Sequence, residues 1–140
     1  MKPVAFGKLP AHGDFVSRGL SPSQSETWDG WFAGAIESGR SQFANRFSDV
    51  HGSAPAWRFL LGAGRLGSGW RVGAIAPSVD SVGRAFFIMA GYEAATPDAR
   101  AFLAAECAEL ALREAIISTR NIDELMDLLA GAMPHHAAIA

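Results

Sequence analysis

The residues best suited to chemistry are gathered in one short stretch. In Gly7-Lys8-Leu9-Pro10-Ala11-His12-Gly13-Asp14-Phe15-Val16-Ser17-Arg18, ionisable and hydroxyl groups share a glycine- and proline-containing frame able to hold them rigidly. His12 and Asp14 have the composition of a base and its orienter, and Ser17 that of a nucleophile. Adjacency in sequence is not triad geometry, however, and Ser17 lies in no nucleophile elbow. The plainer account has Asp14 capping a turn and pairing with Arg18. A second polar loop, Pro77-Ser78-Val79-Asp80-Ser81-Val82-Gly83-Arg84, places an aspartate where it can accept backbone N–H groups of its own turn, with Arg84 as its cross-loop partner. Lys8, His12, Asp14, Arg18, Asp80 and Arg84 are therefore the candidate site residues. Two uses are open to them: a small hydrolase or phosphate-handling centre, or a charged surface for another protein.

The other motifs carry less. Gly62-Ala63-Gly64-Arg65-Leu66-Gly67 spells a dinucleotide fingerprint, but that mechanism needs a helix to open at the third glycine. Here Ser68-Gly69-Trp70 leads into another strand, so the reading is a hairpin loop. Cys107 falls in an apolar helical stripe and reads as an inert core thiol. His135 and His136 read as a solvated tail. No catalytic residue, metal or cofactor is assigned.

Composition sets the bounds. The chain has 140 residues, 49% hydrophobic and 19% charged, which suits one domain over 1–140 with a real core. A net charge of −2 argues against a nucleic-acid partner. A single cysteine excludes an internal disulfide framework and suits a reducing compartment. Neither a secretory leader nor a membrane-spanning apolar run is legible, so the expectation is a cytoplasmic protein with no membrane insertion.

The elements that must position these loops follow from periodicity. A short strand covers residues 4–8, and 9–19 read as loop. Ser21, Pro22 and Gln24 open a helix with a capping box. Trp28, Trp31, Phe32, Ala35 and Ile36 form its buried stripe, and Gly39 is expected to end it. Phe43 and Phe47 suggest further helical turns. Three strands follow, at 57–61, 70–76 and 84–92, the last apolar at both parities and so covered on both faces. The linkers 62–68 and 77–83, seven residues each, are too short for parallel crossovers, which predicts an antiparallel meander. Thr96 and Pro97 open a helix expected to bury Leu103, Cys107, Leu110 and Ile117. Asn121 and Glu124 cap a last helix closed near Gly131. The expected fold class is mixed α/β, order β-α-(α)-β-β-β-α-α, a mainly antiparallel sheet with helices on both faces. The β-meander puts loops 62–68 and 77–83 at opposite ends, and the loop after the first strand is expected beside Asp80.

Taken together, these pieces resemble the type VI secretion-associated TagF family. The resemblance rests on Phe6-Gly7-Lys8-Leu9-Pro10 through Gly13-Asp14-Phe15-Val16 and Arg18-Gly19-Leu20. Trp28-Asp29 with Trp31, Ala54-Pro55-Ala56-Trp57-Arg58-Phe59, and Pro77-Ser78-Val79-Asp80 with Val82-Gly83-Arg84 and Phe86 extend it. It covers roughly residues 4–90. Ser81 stands where the family carries a charged residue, and the proline that often follows the phenylalanine is absent. The resemblance implies a post-translational regulator of type VI secretion that binds a forkhead-associated-domain scaffold protein rather than catalysing. Trp28, Trp31, Trp57, Phe59 and Phe86 are then expected in the structural core.

Overall fold

The computed structural model describes residues 1–64, 66–96 and 98–133; Arg65, Pro97, His135 and His136 fall outside them. The chain runs β1 (Lys2–Gly7), β2 (Val16–Arg18), α1 (Pro22–Phe43), a 3-10 turn (Ala44–Arg46), α2 (Phe47–Ser53), β3 (Trp57–Leu61), β4 (Trp70–Val79), β5 (Ala85–Ala94), α3 (Arg100–Ile117) and α4 (Ile122–Ala132). The strands form one sheet in the order β2-β1-β5-β4-β3, and every pair is antiparallel. The expected mixed α/β class and meander are present. β2 is the addition: three residues of the expected loop fold back on β1, with Ala5 opposite Arg18 and Gly7 opposite Val16.

Both faces of the sheet are covered. On one, Val4, Phe6 and Met89 pack with Trp28 and Phe32 of α1. On the other, Ala5, Val72, Ala74, Ala76, Ile88, Ala90 and Tyr92 pack beneath α3 and α4. Phe86, as expected, is buried. The Tyr92 hydroxyl donates to the Leu129 carbonyl at 2.7 Å, a buried bond that fixes α4 over the central strand.

The capping boxes form as the sequence predicts. Ser21 and Gln24 exchange side-chain to backbone bonds at the start of α1, and Asn121 and Glu124 do the same for α4. Gly39 does not end α1. A Cβ there would lie 2.8 Å from the Phe47 ring, so the glycine makes room for α2 to pack back against α1. Gly131 likewise lies within α4, which Met133 caps.

The buried face of α3 is not the expected one. Ala101, Ala104, Ala105, Ala108, Ala111, Leu112 and Ala115 face the sheet, at helical spacing. Leu103, Leu110 and Ile117 are exposed, and Cys107 is only half-buried. Small side chains let the helix axis approach the strands closely, so the alanine stripe wins the contact. The N-cap is Ala99 rather than Thr96.

Two of the expected core tryptophans also differ. Trp57 is 68% exposed because β3 is the sheet edge, with no further strand beside it among the described residues. Trp31 is 38% exposed, its ring set edge-on against buried Trp28 at 5.1 Å. Phe59 is half-buried and packs on Trp28 at 5.5 Å.

Candidate functional site

β1 ends beside the start of β5, with Gly7 opposite Ile88, and β4 ends there too, with Val79 opposite Ala85. The loop after β1 and the β4–β5 connection therefore share one end of the sheet. The backbone ties them directly: Ser81 N–H donates to the His12 carbonyl at 2.8 Å, and Lys8 N–H to the Phe87 carbonyl at 3.0 Å. The second bond needs Gly7. A Cβ at that position would sit 2.1 Å from the Phe87 carbonyl oxygen, and its φ is +144°.

Asp80 is the centre of this end. Its side chain is fully buried. Oδ1 accepts from the backbone N–H groups of Val82 and Arg84, both at 3.0 Å. Oδ2 accepts from Arg84 Nε at 2.6 Å and Lys8 Nζ at 3.3 Å. Arg84 Nη2 continues to the Gly13 carbonyl at 3.0 Å, so one guanidinium joins both loops. Lys8 is 12% exposed along its side chain and its ammonium lies over the Phe15 ring at 4.8 Å. Burial alone would raise the Asp80 carboxyl. The Arg84 backbone and guanidinium, the Val82 N–H and Lys8 together overcome it and hold the group far below the usual carboxylate range.

Such a carboxylate is a poor base. Both its oxygens are occupied, its proton affinity is low, and its donors are fixed by the fold. It organises a turn: Asp80 N–H donates to the Arg84 carbonyl and Gly83 N–H to the Asp80 carbonyl, with Gly83 at φ +87°.

His12 serves as a helix-end acceptor. Its Nε2 accepts from the Ile122 N–H at 2.9 Å, satisfying an orphan donor at the start of α4. That role places the ring proton on Nδ1. His12→Ala should therefore cost about 1 kcal/mol, as helix-cap losses do. Amide exchange should quicken first at the N-terminal turn of α4, and uniform protection there would refute the role.

Asp14 caps its neighbour, accepting from Phe15 N–H at 2.7 Å. Arg18 is not its partner and does not reach the Asp80 end. It lies in β2 and pairs with Asp123 of α4 at 3.4 Å. Ser17 Oγ is 2.7 Å from Ser25 Oγ, a contact between β2 and α1. His12 and Ser17 thus have separate partners, and no nucleophile–base pair is assembled between them. Lys8, His12, Asp14, Asp80 and Arg84 share one end of the sheet; Arg18 does not.

Sequence reasoning missed a second buried charge. Arg71, in the middle of the sheet on β4, is 5% exposed. It pairs with Glu93, its register partner on β5, at 2.9 Å. Its Nη2 and the Gln24 amide both donate to the Leu66 carbonyl at 2.7 Å, pinning Leu66 to both β4 and α1. That loop joins antiparallel β3 to β4 with no helix behind it, so the fingerprint mechanism has no dipole to use. Among the described residues, no group of three or more His, Cys, Asp or Glu side chains is arranged to hold a metal ion.

The profile of the family described as TagF N-terminal domain, type VI secretion system-associated, matches residues 4–132. The chain belongs to this family. The TagF match covers every element from β1 to α4, including the C-terminal helices that the sequence resemblance did not reach. The crystal structure of PA0076 from Pseudomonas aeruginosa PAO1 superposes with a TM-score of 0.78 at 28% identity, over 92% of this chain. This chain spans 61% of the length of that protein. No curated protein matches it. This TagF domain is thus a type VI secretion-associated protein. Among its described residues, no helix is long and apolar enough to cross a membrane.

Proposed function

We propose that this protein is a cytoplasmic, non-enzymatic regulator that restrains type VI secretion after translation by binding a forkhead-associated-domain scaffold protein. Family membership supplies the secretion system. The observation that carries the rest is the closure of the Asp80 network: the buried charges at this end of the sheet are spent on holding two loops together. A shaped surface is what remains. Phe15 is 47% and Val82 72% exposed on it, beside the solvent-facing part of Arg84. Lys8 and Asp80 act from beneath, and Asp14 and Arg84 border the contact.

Calorimetry with the purified scaffold protein tests this reading. Val82→Glu adds a charge at an exposed side chain and keeps the backbone N–H that Asp80 uses. Binding should weaken at least about tenfold, as loss of a central contact does, with the melting temperature unchanged. A scaffold that fails to bind the parent chain overturns the proposal, and one that binds both equally moves the contact off this end.

A further inference from the structure

The two edges of the sheet are unequal. β2 is only three residues long, and short edge strands resist pairing. β3 is the opposite edge, in the sequence Trp57-Arg58-Phe59-Leu60-Leu61, preceded by Pro55 and free of the usual protections. It contains no proline, and its one charge is already engaged, with Arg58 Nε 3.2 Å from Glu109 Oε1. Antiparallel pairing with β4 uses one side of its backbone. The other side meets no described backbone partner.

Apolar clefts flank this edge on both faces. Trp28, Trp31, Phe59, Leu61 and Ile75 line one, of about 290 Å³. Phe59, Leu60, Val72, Ala101, Phe102 and Ala105, with Arg58, line the other, of about 250 Å³. Exposed side chains stand along them: Trp57 at 68%, Leu60 at 46%, Trp31 at 38% and Phe102 at 80%.

We propose that β3 is a dimer edge, pairing antiparallel with β3 of a second copy to make a continuous ten-stranded sheet. A two-fold axis at Phe59 sets Trp57 opposite Leu61 of the second copy and Arg58 opposite its Leu60, so each face meets its like. The strand is self-complementary in this register. With Arg58 neutralised by Glu109, no like-charge repulsion arises at the axis. The four exposed apolar side chains offer roughly 400 Å² per copy, given the size of aromatic side chains. Two-fold symmetry doubles that to about 800 Å², a large share of the roughly 1,200–2,000 Å² in a stable interface before backbone is counted.

Sedimentation of the 140-residue chain across a wide concentration range tests this. Mass should rise from 14.8 kDa to twice that value. Leu60→Lys and Trp57→Lys alter exposed positions and should each raise the dimer dissociation constant at least about tenfold, the loss expected at an interface centre, with unchanged melting of the monomer. In a Cys107→Ala background, chains carrying Trp57→Cys and chains carrying Leu61→Cys should cross-link through a short thiol reagent when mixed, and neither should do so alone. A parent chain that stays monomeric overturns the proposal and leaves the edge to a strand from another protein. So does a dimer indifferent to both lysine variants, or one whose cysteine chains cross-link equally well alone.

Discussion

Replacing Asp80 with asparagine should lower the melting temperature by on the order of 10 °C at neutral pH, the scale expected when one partner of a buried charge cluster is removed from a domain this size. The asparagine keeps an oxygen for the Val82 and Arg84 N–H groups but turns an amide donor towards Lys8 Nζ and Arg84 Nε. Two donors then face a third, and the Lys8 ammonium is left nearly buried without its counter-charge. The sign of the pH dependence follows from the depressed carboxyl. An unfolded aspartate titrates near about 3.9, and the folded Asp80 well below that. Its contribution is therefore fully present above about pH 5 and is lost as the pH falls through the lowered folded value. Melts of the parent and Asp80→Asn should stay separated by a constant gap from about pH 8 to about pH 5, and the gap should narrow below about pH 4. A gap that grows on acidification would show that something other than the carboxylate organises this loop. Arg84→Ala removes one donor of four from a largely solvent-facing side chain and should cost only a few degrees.

This expectation separates framework from surface. If Asp80→Asn abolishes scaffold binding, it does so by loosening the turn that presents Val82. The Val82→Glu chain, with its turn intact, reports on the contact itself.

What was legible in the sequence was local. Both capping boxes are four-residue signals that depend on nothing distant, and both formed. The meander followed from loop lengths, which bound chain reach whatever the rest of the protein does. What failed depended on distant partners. Arg18 pairs with Asp123, 105 positions away, and no local pattern could prefer that partner to Asp14. β2 exists because β1 offered it an edge, not because Val16-Ser17-Arg18 is a strong strand sequence. The α3 error is of another kind. Hydrophobicity ranks Leu103, Leu110 and Ile117 above alanine, whereas close packing on a sheet selects small side chains; both stripes have helical period and only the sheet decides between them. Asp80 was identified as a turn organiser from its own loop. Its bond to Lys8 spans 72 positions and needed the sheet order to become visible.

Trp28 and Trp31 should separate by several-fold in cost although both sit on one helix three residues apart. Trp28 is 2% exposed and touches Phe32 at 5.6 Å and Phe59 at 5.5 Å, so it closes the core between α1 and the sheet. α1 otherwise buries only Phe32 completely, leaving little to fill a void. Trp28→Ala should cost about 3–5 kcal/mol, as large aromatic truncations do. That is a large part of the roughly 5–15 kcal/mol that holds such a domain folded. Trp31 keeps more than a third of its surface in water and loses mainly its edge-on contact with Trp28, so Trp31→Ala should cost about 1 kcal/mol. Trp28→Phe discriminates further. Among the described residues the buried Trp28 Nε1 has no hydrogen-bond partner, so the indole carries a desolvation cost that phenylalanine removes while retaining most of the ring. Urea denaturation followed by circular dichroism should rank the midpoints parent and Trp31→Ala highest, Trp28→Phe close below, and Trp28→Ala far lowest. Equal losses for the two alanine variants would mean that Trp31, not only Trp28, seals the core, and would take Trp31 out of the exposed apolar rim that borders β3.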